Sequence, residues 1–194
     1  MRQLLQALAI ASVAIVATSC SGSSGNSASG PSSDSRTSRS SSASTSTEPT
    51  PSSGSARADA QAALDGYWAM VKRLLAAPDP TDPELAQRAV DPSLATTKDL
   101  LTTRQASHQL VQFDGVPYHV DTKVSSVSDA TAAFSGCIVD GGRVVDSETG
   151  AVINDKVSTS RIQGSLVNVE GHWKMQRFDV LRKADGEIAC DALA

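Results

Sequence analysis

The stretch VSTSRIQGSLVNVEGHWKMQRFDVL, residues 157–181, decides the fold. It reads as two long strands joined by a tight turn at Glu170 and Gly171. Val167 and Val169 share one face of the first strand and Ile162 and Leu166 the other, as a side-chain period of two requires. Past the turn, Trp173 and Met175 share a face, while Phe178 and Val180 fall on the opposite one. That change of phase predicts a bulge or sharp bend near Gln176 and Arg177. Apolar residues on both faces predict a sheet covered at least in part on both sides.

The strands ahead of this hairpin follow the same period. Tyr118, Val120, Thr122 and Val124 alternate with His119, Asp121 and Lys123, from a start at Val116. After a turn at Ser128 and Asp129, residues 131–139 place Phe134 and Ile138 on one face and Ala133 and Cys137 on the other. Asp140-Gly141-Gly142 is a turn, residues 143–146 a short strand, and residues 151–153 pair back across Glu148-Thr149-Gly150. The long hairpin then closes the sheet.

Further upstream the period is helical. In residues 56–77, Leu64, Tyr67, Trp68, Val71, Leu74 and Leu75 make one broad apolar stripe. Gly66 inside that helix costs about 1 kcal/mol relative to Ala, so a close neighbour, such as a crossing strand, is expected there. Pro78 and Pro80 end the helix. Asp82-Pro83 and Asp91-Pro92 each start another, since Asp caps free N–H groups and Pro fits the first turn. These give a short helix over residues 83–89 and a longer one over 92–109, with Leu94, Leu100 and Leu101 as its apolar positions. Helices first and strands afterwards make an α+β domain, an antiparallel sheet with helices on one face. It occupies residues 56–194.

The chain opens differently. Arg2 precedes an apolar run from Leu4 to Val16, too short for the roughly 20 residues of a membrane span but of the length of a signal-peptide core. Ala17-Thr18-Ser19-Cys20 closes it. Residues 1–20 thus resemble a bacterial lipoprotein signal with its lipobox, although that pattern prefers Leu at Ala17 and Gly or Ala at Ser19. The resemblance implies acylation of Cys20 and a membrane anchor at the extracytoplasmic face. Each buried acyl CH₂ adds about 0.8 kcal/mol. Residues 21–55 carry no apolar side chain larger than Ala, so they read as a disordered Ser-rich tether. A flexible chain of that length reaches roughly 30–35 Å. Thr45, Thr47 and Thr50, near Pro49 and Pro51, are candidate glycosylation sites.

The net charge of -4 offers no basic surface to nucleic acid. Aromatics are only 4% of the residues, so each Trp and Phe is expected to be a packing anchor. With Cys20 assigned to lipid, Cys137 and Cys190 remain. Outside the cytoplasm such a pair is expected to form a disulfide that pins the tail to the sheet. The alternative is a buried Cys137 with a free Cys190. No His/Cys pair has ligand spacing, so neither a metal nor another cofactor is expected.

An opening helix with Tyr67-Trp68, a helical pair, and a meander ending in Leu166-Val167…Gly171-His172-Trp173-Lys174-Met175 resembles the nuclear transport factor 2-like (SnoaL-like) superfamily. With its leader and tether, the chain resembles lipoproteins of high-GC Gram-positive bacteria that carry such a domain. The resemblance implies a cone, a curved sheet wrapped around a helix. Isomerase members of the superfamily use a carboxylate base with a Tyr and a carboxylic acid. Tyr67 is the one candidate donor of that type in the helical half, and Asp140, Asp146 and His119 align with no catalytic set. Tyr67 reads rather as a core aromatic, and Asp140 and Asp146 as turn residues. His108 and His172 read as solvated. No nucleophile motif or phosphate loop appears. Two functions follow. The first is a non-catalytic interaction or accessory module with an envelope protein partner. The second is a carrier of an apolar ligand, or an isomerase-like enzyme, with Tyr67, Trp68, Phe134 and Trp173 lining the cone.

Overall fold

The computed structural model describes residues 53–193. The expected leader, Cys20 and the expected tether up to residue 52 lie outside the described residues. The domain is α+β: α1 (Ser53–Ala76), α2 (Glu84–Arg88) and α3 (Ser93–Ala106) precede seven strands and a terminal 3-10 turn at Cys190–Leu193.

The helix predicted from residue 56 begins at Ser53 and ends at Ala76, before Pro78. Ala60, Leu64, Tyr67, Trp68, Met70 and Leu74 form its buried face. Met70 joins the predicted stripe, whereas Val71 and Leu75 are only half-buried. The neighbour at Gly66 is Arg88 of α2, not a strand. A Cβ there would lie 2.9 Å from Arg88 Cζ.

Both Asp-Pro starts act as caps. Asp82 Oδ1 accepts the Glu84 N–H at 2.8 Å, and Asp91 Oδ1 accepts that of Ala95 at 3.2 Å. α2 is tied to α1 by Arg73, whose guanidinium reaches Asp82 at 2.9 Å and Glu84 at 2.7 Å. Arg88 also pairs with Glu84. The hydrogen bond from Arg73 holds the Asp82 carboxyl below its ordinary 3.8. Arg88, then Arg73, hold Glu84 below 4.5. A depressed folded-state pKa stabilises above the unfolded value and stops doing so as pH falls through the folded one. The clamp is therefore at full strength above pH 4.5 and is lost progressively in acid. An NMR titration should show Asp82 and Glu84 midpoints that rise toward ordinary values in Arg73→Ala. Unchanged midpoints would refute the clamp.

α3 stops at Ala106 rather than at Gln109. His108 adopts a left-handed φ of 51°, which breaks the helix and lets Gln109 open a strand. Its buried face also differs from expectation. Ser93, Thr97 and Leu101, at i, i+4 and i+8, point inward, while Leu100 is 42% exposed.

Where one sheet was expected there are two, both antiparallel. The larger has the order β2 (Tyr118–Val127), β3 (Thr131–Asp140), β6 (Ser158–Val169), β7 (His172–Asp185). The smaller has the order β1 (Gln109–Gln112), β4 (Arg143–Asp146), β5 (Val152–Asn154). The predicted strand from Val116 is β2, and the predicted pairing of residues 143–146 with 151–153 is the β4–β5 hairpin. β1 was not expected at all.

In β6–β7, Leu166 faces Met175 and Ser165 faces Arg177, so Gln176 is the extra residue of a bulge. The bulge lies where the apolar phase changes. It returns Phe178 to the face of Met175, opposite Gly164 and in line with Phe134. Ile162, Leu166, Met175 and Phe134 on this face join Leu64, Tyr67 and Trp68 in one core. A second bulge follows, because Arg161 faces Arg182 and Ile162 faces Val180, leaving Leu181 over. Bulges of this kind bend a sheet and sharpen its twist.

The two edges of the larger sheet are finished differently. Gln61 on α1 works as a neighbouring strand would. Its Oε1 accepts the Val124 N–H at 2.9 Å and its Nε2 donates to Thr122 O at 3.0 Å. Arg57 adds bonds to Val124 O at 2.7 Å and Ser125 O at 3.1 Å. At the other edge, the link before α3 touches β7 once, where the Val90 N–H donates to Met175 O at 2.9 Å.

The sheet face turned away from the helices is covered by the tail at one end, around Cys137 and Thr159. Cys137 and Cys190 are joined by a disulfide, their Cα atoms 5.9 Å apart. Thr159 Oγ1 donates to Gly186 O at 2.9 Å and accepts the Ile188 N–H at 3.0 Å. Leu193 is buried beside them, in a turn that packs on β6 and β7.

Candidate functional site

A half-open hollow of about 300 Å³ lies between α1, α3 and β7. Tyr67, Trp68 and Val71 form its α1 wall, Leu100 and the Ser93/Thr97 turn its α3 wall, and Phe178 with Arg177 its β7 side. The rings interlock edge to face: Tyr67 to Trp68 at 5.1 Å and Trp68 to Phe178 at 5.2 Å between centroids. The Gln176 bulge makes this possible, because without it Phe178 would point away.

The hydroxyls at the base of the hollow form a directed network. Thr97 Oγ1 donates to Ser93 O at 2.9 Å, which uses its only proton. Its contact with Tyr67, at 3.1 Å, must then be one in which the Tyr67 O–H donates. The Ser93 hydroxyl, also 3.1 Å from the Tyr67 oxygen, donates to that oxygen in turn. In this arrangement every hydroxyl proton of the trio is engaged within it. Tyr67→Phe should destabilise by about 1–3 kcal/mol, because buried Ser93 and Thr97 lose their partner. Denaturant unfolding would measure this, and no loss would mean the trio is not closed. Trp68, in contrast, is 7% exposed and its Nε1–H meets no acceptor among the described residues. Arg177 at the rim is exposed, and it forms no ion pair among the described residues.

Of the four side chains predicted around one hollow, Tyr67 and Trp68 meet here. Phe134 is buried in the core behind Gly164. Trp173 borders a separate, open groove of about 590 Å³ with Asp59, Arg88, His172 and Lys174. Ser93, Thr97 and Phe178 were missed as lining residues. The i, i+4 spacing of Ser93 and Thr97 was their one signal in the sequence.

The other candidates sit apart from the hollow. Asp140 accepts the Gly142 N–H at 3.1 Å in its turn. Asp146 accepts the N–H groups of Thr149 at 2.8 Å and Glu148 at 3.0 Å. Those bonds, Thr149's first, keep its carboxyl below the usual value. His119 and His172 are exposed, and His108 Nδ1 lies 3.1 Å from Glu148. Tyr118 forms a ring pair with Phe113 at 4.5 Å, with Lys72 Nζ over its ring at 5.0 Å. Burial first, and Asp140 second, push its hydroxyl up to about 12, so it stays protonated at neutral pH. Among the described residues no cluster of three or more His, Cys, Asp or Glu could hold a metal, and no helix is long and apolar enough to cross a membrane.

No family model matches the chain, and no curated protein does. Among solved structures it is similar to the intermembrane space region of the chloroplast protein ARC6. The two are 18% identical with a TM-score of 0.48, covering 69% of this chain and 98% of that one. It is also similar to a candidate aromatic ring hydroxylase of Novosphingobium aromaticivorans, at 18% identity and a TM-score of 0.43, covering 71% of this chain and 96% of that one.

Proposed function

We propose that the chain is an extracytoplasmic lipoprotein, anchored through Cys20, whose nuclear transport factor 2-like domain is a non-catalytic interaction or accessory module. The Tyr67 network carries this reading. The one hydroxyl placed to serve as an oxyanion donor gives its proton to Thr97. Asp140, Asp146 and His119, the other groups considered for catalysis, lie in turns and on an exposed strand position. The disulfide between Cys137 and Cys190 supports an oxidising compartment. The helices followed by a twice-bulged hairpin with a buried Trp173 support the superfamily reading.

The test is metabolic labelling with a clickable fatty acid. The full chain should take the label and Cys20→Ala should not, with the variant released from the membrane. A label that survives Cys20→Ala would overturn the anchor. Crosslinking on the cell surface then asks which envelope proteins lie beside the domain.

One observation favours a second reading. The hollow beside Trp68 is of a size and polarity suited to a small apolar ligand. Native mass spectrometry of the purified chain distinguishes the two. A co-purifying adduct of a few hundred daltons, lost in Val71→Trp, would establish the carrier reading. A clean spectrum leaves the interaction module.

A further inference from the structure

We propose that the open edge of β7 is a self-pairing surface, on which two copies of this chain meet as antiparallel strands with Asp179 of each facing Arg182 of the other. The proposal deepens the interaction reading and rests on it for its biological setting.

A sheet edge with free N–H and C=O groups is a template for another strand, and proteins normally close it. Here one edge is closed and the other is not. Gln61 and Arg57 occupy the β2 edge. The β7 edge is closed at Met175 by Val90, and beyond that point, among the described residues, no hydrogen bond reaches the outer side of residues 177–184. Val180 is 53% exposed and Leu181 46%, neighbours on this one edge and two of the five exposed large apolar residues among those described.

The charges indicate the occupant. Arg182 lies directly opposite Arg161 on β6, and neither forms an ion pair among the described residues. Like charges directly opposite are destabilising unless a counter-charge joins them. Asp179 lies opposite Gln163 and pairs with no cation among the described residues. Because Gln163 and Arg161 are two apart on β6, Asp179 and Arg182 project from the same sheet face. A two-fold axis perpendicular to the sheet preserves faces. Placed between Val180 and Leu181, it sets Asp179 against Arg182 of the other copy, twice. Each carboxylate then extends a row that already holds Arg182 and Arg161. The same register sets Arg177 against Ala184 and Phe178 against Lys183, on matching faces, and brings Val180 and Leu181 to the axis. No like charges oppose each other. A shift of two residues toward the N-terminus would set Arg177 against Arg182.

A short edge-to-edge contact is small, so a weak, concentration-dependent dimer is expected. The test is sedimentation of the full chain in mild detergent over a range of concentrations, with charge swaps. Asp179→Arg alone and Arg182→Asp alone should each weaken self-association at least about tenfold, since both place like charges together. The double variant Asp179→Arg/Arg182→Asp should restore it, and an equimolar mixture of the two single variants should pair as a heterodimer. Circular dichroism of the single variants checks that they fold, and the double variant tests the pairing even if one does not. A wild-type chain that stays monomeric overturns the proposal, and the charges and the Leu181 bulge are then devices that keep the edge unpaired. A dimer indifferent to the swaps also overturns it. If either result comes with surface crosslinks to envelope proteins intact, the edge assignment fails alone. If the crosslinks are absent too, the interaction reading fails with it.

Discussion

Replacing Cys137 and Cys190 together by Ala is expected to lower the unfolding free energy by about 4 kcal/mol. The bridged residues are 53 apart in sequence, so in the chain-entropy model the bond removes a large loop's freedom from the unfolded state. For a domain of this size that corresponds to a melting point lower by more than about 10 °C. Local consequences are expected as well. Residues 186–193 are held by the bridge, by Thr159 and by the burial of Leu193. Without the bridge, the two hydrogen bonds of Thr159, that of the Gly186 N–H to Val157 O at 2.8 Å and the burial of Leu193 must hold the tail. Amide exchange at Ile188 should then speed up ahead of exchange in β6. Calorimetry of the oxidised chain and the double variant measures the first effect. A loss below about 1 kcal/mol would mean that the unfolded chain is already compact around this loop.

Gly164→Val is expected to destabilise the sheet strongly, at about 3 kcal/mol or more. Gly164 lies opposite both Phe134 and Phe178, between two strands of the larger sheet. A Cβ there would come within 2.5 Å of Phe134 Cζ and 2.7 Å of its Cε1, and would also strike the Arg177 carbonyl oxygen. The aromatic rings could rotate away, but the backbone oxygen at the bulge could not without undoing the pairing. The clash therefore reaches the bulge that aims Phe178 at Trp68. Thermal unfolding gives the size of the effect, and near-ultraviolet circular dichroism should show the Trp68 environment disturbed. Ser165→Ala, one residue along and on the opposite face, should cost less than about 1 kcal/mol.

Much of this architecture was legible in the sequence, and the parts that were not have identifiable causes. The Gln176 bulge could be located because buried residues stand on both sides of it, so its phase change was visible. The Leu181 bulge could not, since Val180 and Leu181 are both exposed and no buried residue marks the phase. β1 was hidden because its four residues follow α3 almost directly, and the left-handed residue that separates them is a histidine, not a glycine. The inward face of α3 was misjudged because leucines were weighted above hydroxyls. Ser93 and Thr97 are buried because Tyr67, on another helix, gives them partners. Periodicity within one helix contains no information about that partner. The hollow was half legible for the same reason: Tyr67 and Trp68 follow from the α1 stripe, whereas the α3 wall depends on contacts between helices. The disulfide followed from counting cysteines once Cys20 had been set aside.

The fastening of α1 to the β2 edge has a mechanical consequence. A pull on the chain ahead of Ser53 enters the domain through the first turns of α1. Arg57 and Gln61 grip the sheet there, through their bonds to Thr122, Val124 and Ser125. Four-residue spacing puts them on successive turns, so they take the load one after the other rather than together. Under tension the helix should peel from its N-terminal end, with Arg57 yielding before Gln61, and the disulfide-bonded sheet should be the last part to extend.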